Sequence, residues 1–288
     1  MSRSFLFVPA DSERKLKRAG DTGADALIVD LEDSVAAQAR PEARQLAREF
    51  LAGRDDAWVR INPVASADAQ ADLEAVMPSA PCGIVLPKSR SAEDVHRLAG
   101  LLDELEARHG IEQGSTLVLP ICTERPEALF KLDSYTAATP RLFGLSWGAE
   151  DLGAVVGATA RRDANGDWLP PYQLARSLCL FAAAAAEVAA IDTVYTDFRD
   201  QSGLARFASN ARRDGFSGML AIHPDQVETI NQTFVPSAAE LERAERIVTL
   251  FDQNPGAGTL GLDGEMIDRP HLVQAQRLIK LAGRLAGR

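Results

Sequence analysis

Cysteine is scarce in this chain: three in 288 residues, at positions 82, 122 and 179, each in apolar surroundings and none in a C-x-x-C spacing. That leaves no basis for a disulfide framework or for a structural zinc built on thiolates. Histidine is nearly as rare, with four residues, and His96 and His109 fall in a helical pattern, so a His-rich zinc site is not available. No apolar stretch approaches about 18 residues without a charge, which argues against a membrane span. The N-terminal MSRSFLFVPADSERK reaches a proline and an acid too soon for a secretory signal. Basic residues are in deficit, 31 Lys and Arg against 41 Asp and Glu, and the net charge of −10 argues against nucleic acid as a partner. An anionic ligand would need a local cationic patch, for which ERKLKR (13–18) is the best candidate. Together these absences fit a cytoplasmic enzyme-sized α/β protein acting on a small molecule.

What is present is a regular alternation. Short apolar runs occur at 4–9, 25–33, 57–62, 83–88, 116–122, 142–148, 192–196 and 218–223, mostly apolar on both faces, as buried parallel strands are. Amphipathic stretches separate them. SAEDVHRLAGLLDELEARHG (91–110) opens on a serine and acids and closes on glycine, so both helix ends are signalled. The alanine-rich FAAAAAEVAA (181–190) reads as a closely packed helix. Eight such units predict a (β/α)₈ TIM barrel, with a doubly wound sheet as runner-up. No G-x-G-x-x-G follows the first run, which removes the main reason to prefer the open sheet. The long connection 151–171 reads as a surface loop or lid. A barrel domain over 1–235 is expected, followed by a C-terminal helical extension over 236–288.

In a barrel the chemistry sits where strands end. Those ends carry Asp30, Glu32 and Asp33; Arg60 and Asn62; Lys88; Glu124; Glu150 and Asp151; Asp197; and His223. Any one of them alone reads as an ion pair or a helix cap, but their convergence on one rim does not. Glu124 and Asp151, from neighbouring strands and without a Cys/His cluster, suit a hard cation such as Mg²⁺. Lys88 could suggest a Schiff-base aldolase, but between Ser89 and Arg90 nothing lowers its pKa, so it is a poor nucleophile. His223, followed by proline, suits an orienting hydrogen bond better than a base.

Several stretches resemble the citrate lyase β-subunit-like CoA-ester lyases of the HpcH/HpaI aldolase superfamily, close to the malyl- and citramalyl-CoA lyases. They are RSFLFVPADSERK (3–15), VDLEDSV (29–35), VRINP (59–63), LPK (86–88), LPICTE (119–124), WGAEDLGAVVGA (147–158), GMLAIHPDQVETINQTFVPS (218–237) and DGEMIDRP (263–270). They cover nearly the whole chain in order. The resemblance implies a Mg²⁺-dependent carbon–carbon lyase acting on an acyl-CoA thioester. On it, Glu124 and Asp151 match the metal acids, and Arg60 matches the arginine that contacts substrate carbonyl oxygens. Glu32 and Asp33 match acids that hold metal-bound water or orient that arginine. Phe7, Arg14 and Arg18 are the nearest equivalents of the CoA-site residues, Ala221 and Ile222 line the pantetheine channel, and Glu150 orients by a hydrogen bond. Asp268 looks like the acid that a neighbouring subunit's C-terminal segment brings in, which implies a homo-oligomer, a trimer or hexamer.

The chain departs from the family pattern at Ser12, where an arginine is common, and at Met219, where a lysine is usual. Its strand-five motif reads Cys-Thr-Glu instead of Ile-Glu-Thr, which moves the glutamate by one position. Three alternatives stay open: a pyruvate-dependent aldolase without CoA, an acyl-CoA thioesterase, and a β subunit working only inside a multiprotein citrate lyase.

Overall fold

The computed structural model describes residues 2–286, in two compact units that divide after Asn231. The first unit holds eight strands, β1 (Ser4–Pro9), β2 (Ala26–Asp30), β3 (Ala57–Arg60), β4 (Gly83–Leu86), β5 (Leu117–Pro120), β6 (Gly144–Ser146), β7 (Ala189–Asp192) and β8 (Gly218–Ala221). All their pairings are parallel, in the order β5-β4-β3-β2-β1-β8-β7-β6. The ring closes between β5 and β6 through bridges at Val118–Leu142 and Ile121–Ser146, with the Cys122 N–H donating to the Ser146 carbonyl at 2.8 Å. This is the (β/α)₈ barrel the alternation predicts. Its helices are α1 (Glu13–Ala19), α2 (Arg40–Leu51), α3 (Ala67–Val76), α4 (Ala92–His109), α5 (Ala149–Val156), α6 (Pro170–Ala185), α7 (Gln201–Asp214) and α8 (Val227–Thr233). A 3₁₀ stretch, Pro126–Ala137, follows β5 in place of a regular α-helix.

The strands are apolar on both faces because both are covered. Phe5, Ile28, Trp58, Val85, Leu119, Ile191 and Leu220 fill the interior, while Leu27, Val29, Ile84 and Val118 are buried as well. Near the strand starts, Phe5, Trp58 and Phe143 meet edge-to-face, with centroids 5.1–6.0 Å apart. That aromatic plug fills the N-terminal end of the barrel and leaves the polar groups to the other end.

The seam at β5 and β6 is pinned by a buried ion pair. Arg141 is held by Glu106 at the end of α4, and its Nη1 also donates to the Thr116 carbonyl at 3.0 Å. The Gly114 and Thr116 N–H groups donate to Glu106 as well. Burial works against the charged Glu106 carboxylate, but these donors outweigh it and bring its pKa down to about 2.

Two sequence expectations change. The seventh strand lies at 189–192 and not 192–196, and the alanine-rich helix ends at Ala185. A turn with Glu187 in the left-handed region (φ 56°) redirects the chain into the strand. Propensity favoured continuing that helix, but pairing with β6 and β8 decides the boundary. Asp197 therefore sits in a loop, and Asp192 is the buried acid at the strand end, bonded to Trp147 and Arg176. The connection 151–171 begins as helix α5; the loop proper covers 157–169.

The second unit contains α9 (Ala238–Gln253), a hairpin of β9 (Thr259–Leu262) and β10 (Glu265–Asp268), and α10 (Arg269–Ala286). The hairpin turn is Asp263-Gly264, both at positive φ (53° and 84°), a turn signal that the alternation with the barrel obscured. Ala244, Ile247 and Phe251 of α9 pack with Ile267 and Ala275, and Leu272, Leu278 and Ile279 of α10 lean on the same cluster. The apolar stripe of the tail is thus partly covered within its own unit. Among the described residues no helix is long and apolar enough to cross a membrane.

Candidate active site

At the C-terminal ends of β2 to β6 the structure collects acids around two cations. β2 and β3 pair in a register that sets Asp30 opposite Arg60. The Arg60 guanidinium donates through Nε and Nη2 to both Asp30 oxygens, at 2.7 and 2.6 Å, a bidentate fork. Its Nη1 lies 3.2 Å from Glu32 and 3.9 Å from Asp33. The ring of Phe7, from β1, lies 4.7 Å from the guanidinium. Burial works against the Arg60 charge, yet Asp30 and the neighbouring acids outweigh it and raise its pKa. Just beyond the strand, buried Asp72 accepts both N–H groups of Asn62 at 2.8 Å and is itself held by Arg44. Asn62 therefore clamps the turn after Arg60.

Lys88 is the second cation. Its ammonium contacts Glu32 closely, Asp33 at 3.1 Å and Asp151 at 3.5 Å. Burial alone would lower its pKa, but those carboxylates prevail and raise it, so it stays a charged ammonium and not a free amine nucleophile. Its backbone is left-handed (φ 53°), an uncommon state for a residue with a side chain, and its N–H points at Glu124 Oε2.

Glu124 lies almost fully buried after β5. The residue before it, Thr123, accepts the Gly148 N–H at 3.1 Å and ties the end of β5 to the end of β6. A side chain at 148 would collide with Glu124, since a Cβ there would stand 2.6 Å from its Cγ. Glycine is what lets the two strand ends approach. Burial, first, and the adjacent Asp151 carboxyl raise the Glu124 pKa well above the ordinary glutamate value. Burial also raises Glu32, against the pull of Arg60 and Lys88.

This electrostatic arrangement gives a stability signature. A carboxyl whose folded pKa is raised keeps its proton where the unfolded chain has released it, so stability falls as pH rises through that window. Metal-free Glu124→Gln protein is therefore expected to melt at a higher temperature than wild type at about pH 8, with the gap closing toward about pH 4.5. Calorimetric melts at both pH values check this; a gap independent of pH would mean that Glu124 is not held protonated.

The donor set also bears on a cation. Asp30, Glu32, Asp33, Glu124 and Asp151 are five carboxyls around two cations, Arg60 and Lys88, so the cluster is short of positive charge, and a cation bound there would favour release of the Glu124 proton. Glu32 Oε2 is sealed from solvent without a hydrogen bond. Among the described residues no group of three or more His, Cys, Asp or Glu is arranged to hold a metal. Two adjacent carboxylates with a rim open to substrate still fit Mg²⁺, which commonly takes one or two protein carboxylates and completes its shell from substrate and water.

The other sequence candidates lie as follows. Glu150 is half exposed and turns away to Arg161, at 2.8 Å. Arg14 and Arg18 are exposed on α1, whose N-cap is Ser12. Ala221 ends β8 opposite Leu6 of β1, fully buried, and Ile222 follows it, 40% exposed. Met219 is buried inside β8, so no cation is offered there. His223 caps the next turn through Nδ1 and stacks on Phe198 at 4.5 Å. Asp268, in the second unit, directly precedes α10, with Oδ1 2.5 Å from His271 Nδ1. Gly148 was missing from the set read off the sequence, and Asp30 stood in it only as one strand-end acid among several, with no role of its own. The signal for Asp30 is its register with Arg60, which pattern alone does not supply.

Residues 3–224 match the family model HpcH/HpaI aldolase/citrate lyase. The chain is 31% identical to citrate lyase subunit beta of Leuconostoc mesenteroides subsp. cremoris, over 98% of this chain and 93% of that protein. It is 33% identical to a (3S)-malyl-CoA thioesterase of Cereibacter sphaeroides, over 99% of this chain and 95% of the other. Its fold matches the crystal structure of protein CitE from Mycobacterium tuberculosis in complex with magnesium, acetoacetate and coenzyme A, with a TM-score of 0.82 at 32% identity, covering 98% of each chain. The barrel, its strand-end acids and these full-length matches agree: the chain belongs to the HpcH/HpaI aldolase/citrate lyase family, as a lyase of its citrate lyase β-like branch.

Proposed function

We propose that the protein cleaves, or in reverse condenses, a 3-hydroxy-dicarboxylic acyl-CoA thioester such as malyl-, citramalyl- or citryl-CoA, using Mg²⁺ held by Glu124 and Asp151. The observation that carries this is the contact of the Glu124 and Asp151 carboxyls on the same rim as Arg60. The magnesium, acetoacetate and coenzyme A bound by the similar CitE protein support it. When bound, the cation supplies positive charge to the substrate carboxylate and hydroxyl. Arg60, already aligned by Asp30, offers Nη1 to the carbonyl oxygen on which enolate charge develops. Glu32 and Asp33 hold that edge of Arg60 and the Lys88 ammonium in place. Cleavage needs the hydroxyl proton removed as the carbon–carbon bond breaks, its electron pair passing to the thioester enolate. The enolate then takes a proton at its α-carbon.

Arg14 and Arg18 on α1, with Phe7 on β1, Ala221 at the end of the adjoining β8 and Ile222 just after it, form the coenzyme side in this reading. Acyl-CoA esters incubated with the protein and Mg²⁺, followed by mass, test it. Released acetyl-CoA or propionyl-CoA supports the lyase, and no turnover of any ester refutes it. Free CoA with intact hydroxy acid would favour the thioesterase reading, to which the malyl-CoA thioesterase relative lends weight.

In the same proposal Asp268 serves a neighbouring subunit of a trimer or hexamer, protonating the enolate. Inactive Asp268→Asn subunits mixed with inactive Glu124→Ala subunits are expected to recover part of the activity, because some sites in mixed oligomers receive both intact residues. No recovery despite demonstrated subunit exchange would leave Asp268 as no more than the local partner of His271.

A further inference from the structure

A polar cavity of about 340 Å³ lies between α6 and α7 in the barrel unit, lined by Arg162, Arg176, Arg206 and Arg213 with Trp168 and the acids Asp167 and Asp214 among its walls. Four arginines on one cavity stand out in a chain of net charge −10. Their pairing differs. Arg176 is committed to structure, bonded to buried Asp192 at 2.8 Å and to Asp214 at 2.7 Å. Arg213 is largely exposed and, among the described residues, reaches only its neighbour Asp214, at 3.3 Å. Arg162 and Arg206 have no carboxylate within ion-pair distance among the described residues; each donates to a backbone carbonyl of one turn, Gly166 and Asn165 respectively, at 2.9 Å.

That turn is well built. Arg162 and Trp168 form an antiparallel bridge, and Asp163 Oδ1 accepts the N–H groups of Asn165 and Asp167, both at 2.9 Å. The Arg162 guanidinium lies 3.6 Å from the Trp168 ring centre and 4.7 Å from that of Phe207, so aromatic faces fix its plane. Burial, first, pulls its pKa down, and the acids Asp192 and Glu150, which are not in ion-pair contact with it, offset that only in part. Its guanidinium makes no other hydrogen bond among the described residues, and Nε of the neighbouring Arg161 is sealed from solvent without a partner. A half-buried guanidinium, held rigid by aromatics and without a carboxylate in direct contact, is favourably placed to take a ligand anion.

We propose that this cavity binds a small multiply charged phosphate-type anion through Arg162, Arg206 and Arg213. Planar guanidinium forks match tetrahedral oxyanions, and the volume suits a ligand of pyrophosphate size or somewhat larger. None of the acids around Arg60 and Lys88 lines this cavity, and the proposal does not depend on the proposed reaction.

Calorimetric titration of the full-length protein with inorganic pyrophosphate, at low ionic strength and with EDTA present, tests it. One site per chain is expected, weakened by added salt. Arg213→Glu, an exposed change, and Arg162→Gln should each weaken binding by about tenfold or more. Thermal melts establish that the variants are folded, and Arg213→Glu carries the test if Arg162→Gln does not fold. Binding should survive saturating coenzyme A and the Arg14→Gln, Arg18→Gln double change. Absence of binding, displacement by coenzyme A, or unchanged binding in folded Arg213→Glu protein would each overturn the proposal.

Discussion

Glu124→Ala and Asp151→Ala are each expected to end turnover, by at least about a thousandfold, while the barrel stays folded. Both side chains lie beyond the strand ends, Glu124 after β5 and Asp151 in the first turn of α5, and Glu124 touches the Lys88 N–H and Asp151 where a core residue would touch apolar neighbours. Removing its carboxyl takes away a group that burial already disfavours as an anion, so little stability is lost. What is lost is half of the proposed cation site. Mg²⁺ titration of each variant should show binding weakened beyond measurement at concentrations that saturate wild type. Full activity in either variant, or wild-type activity undiminished by EDTA, would remove the metal assignment while leaving the fold untouched.

Arg60→Lys should cost about 2–4 kcal/mol of transition-state stabilisation, roughly 30- to 1,000-fold in rate, by analogy with a lost oxyanion donor. Charge is conserved in this change, so a purely electrostatic role for the residue would leave the rate nearly intact. Geometry is what changes. Asp30 receives two parallel bonds from Nε and Nη2, and that fork aims Nη1 past Glu32. An ammonium could satisfy Asp30 or the substrate, but one point charge on a flexible stem cannot span both. The loss should fall mainly on kcat, because the interaction strengthens as the enolate forms. A variant within a few-fold of wild type would show Arg60 to be a structural partner of Asp30 and nothing more.

The barrel was readable because its signals are local. Runs such as SFLFVP and GIVL, apolar on both faces, coincide with β1 and β4, and the serine and glycine flanking 92–109 coincide with the caps of α4. Where local and tertiary preferences compete, reading failed. The alanines up to 190 favour helix on propensity, yet 189–192 are claimed by pairing with β6 and β8, and Asp197 lost its place at a strand end as a result. The hairpin at 259–268 was missed although Asp263-Gly264 marks its turn, because its strands are short and largely exposed and so lack a buried-strand pattern.

Residue chemistry at strand ends put Arg60, Glu124, Glu32 and Asp33 in one set from sequence alone, because every strand of a parallel barrel delivers its C-terminal residue to the same rim. Sequence could not say which of them touch. Glu150 and Asp151 are adjacent in the chain, yet the helical turn of α5 sends one to Arg161 and the other to Lys88. Lys88, read only as a poor nucleophile, is the cation around which three acids gather, because a left-handed backbone turns its N–H to Glu124 while its side chain reaches across to Glu32. Composition and periodicity therefore determined the barrel and the inventory of its rim. Strand register, a glycine-permitted close approach and one strained backbone residue decided the pairings, since these depend on distances between segments far apart in the chain, which no local pattern encodes.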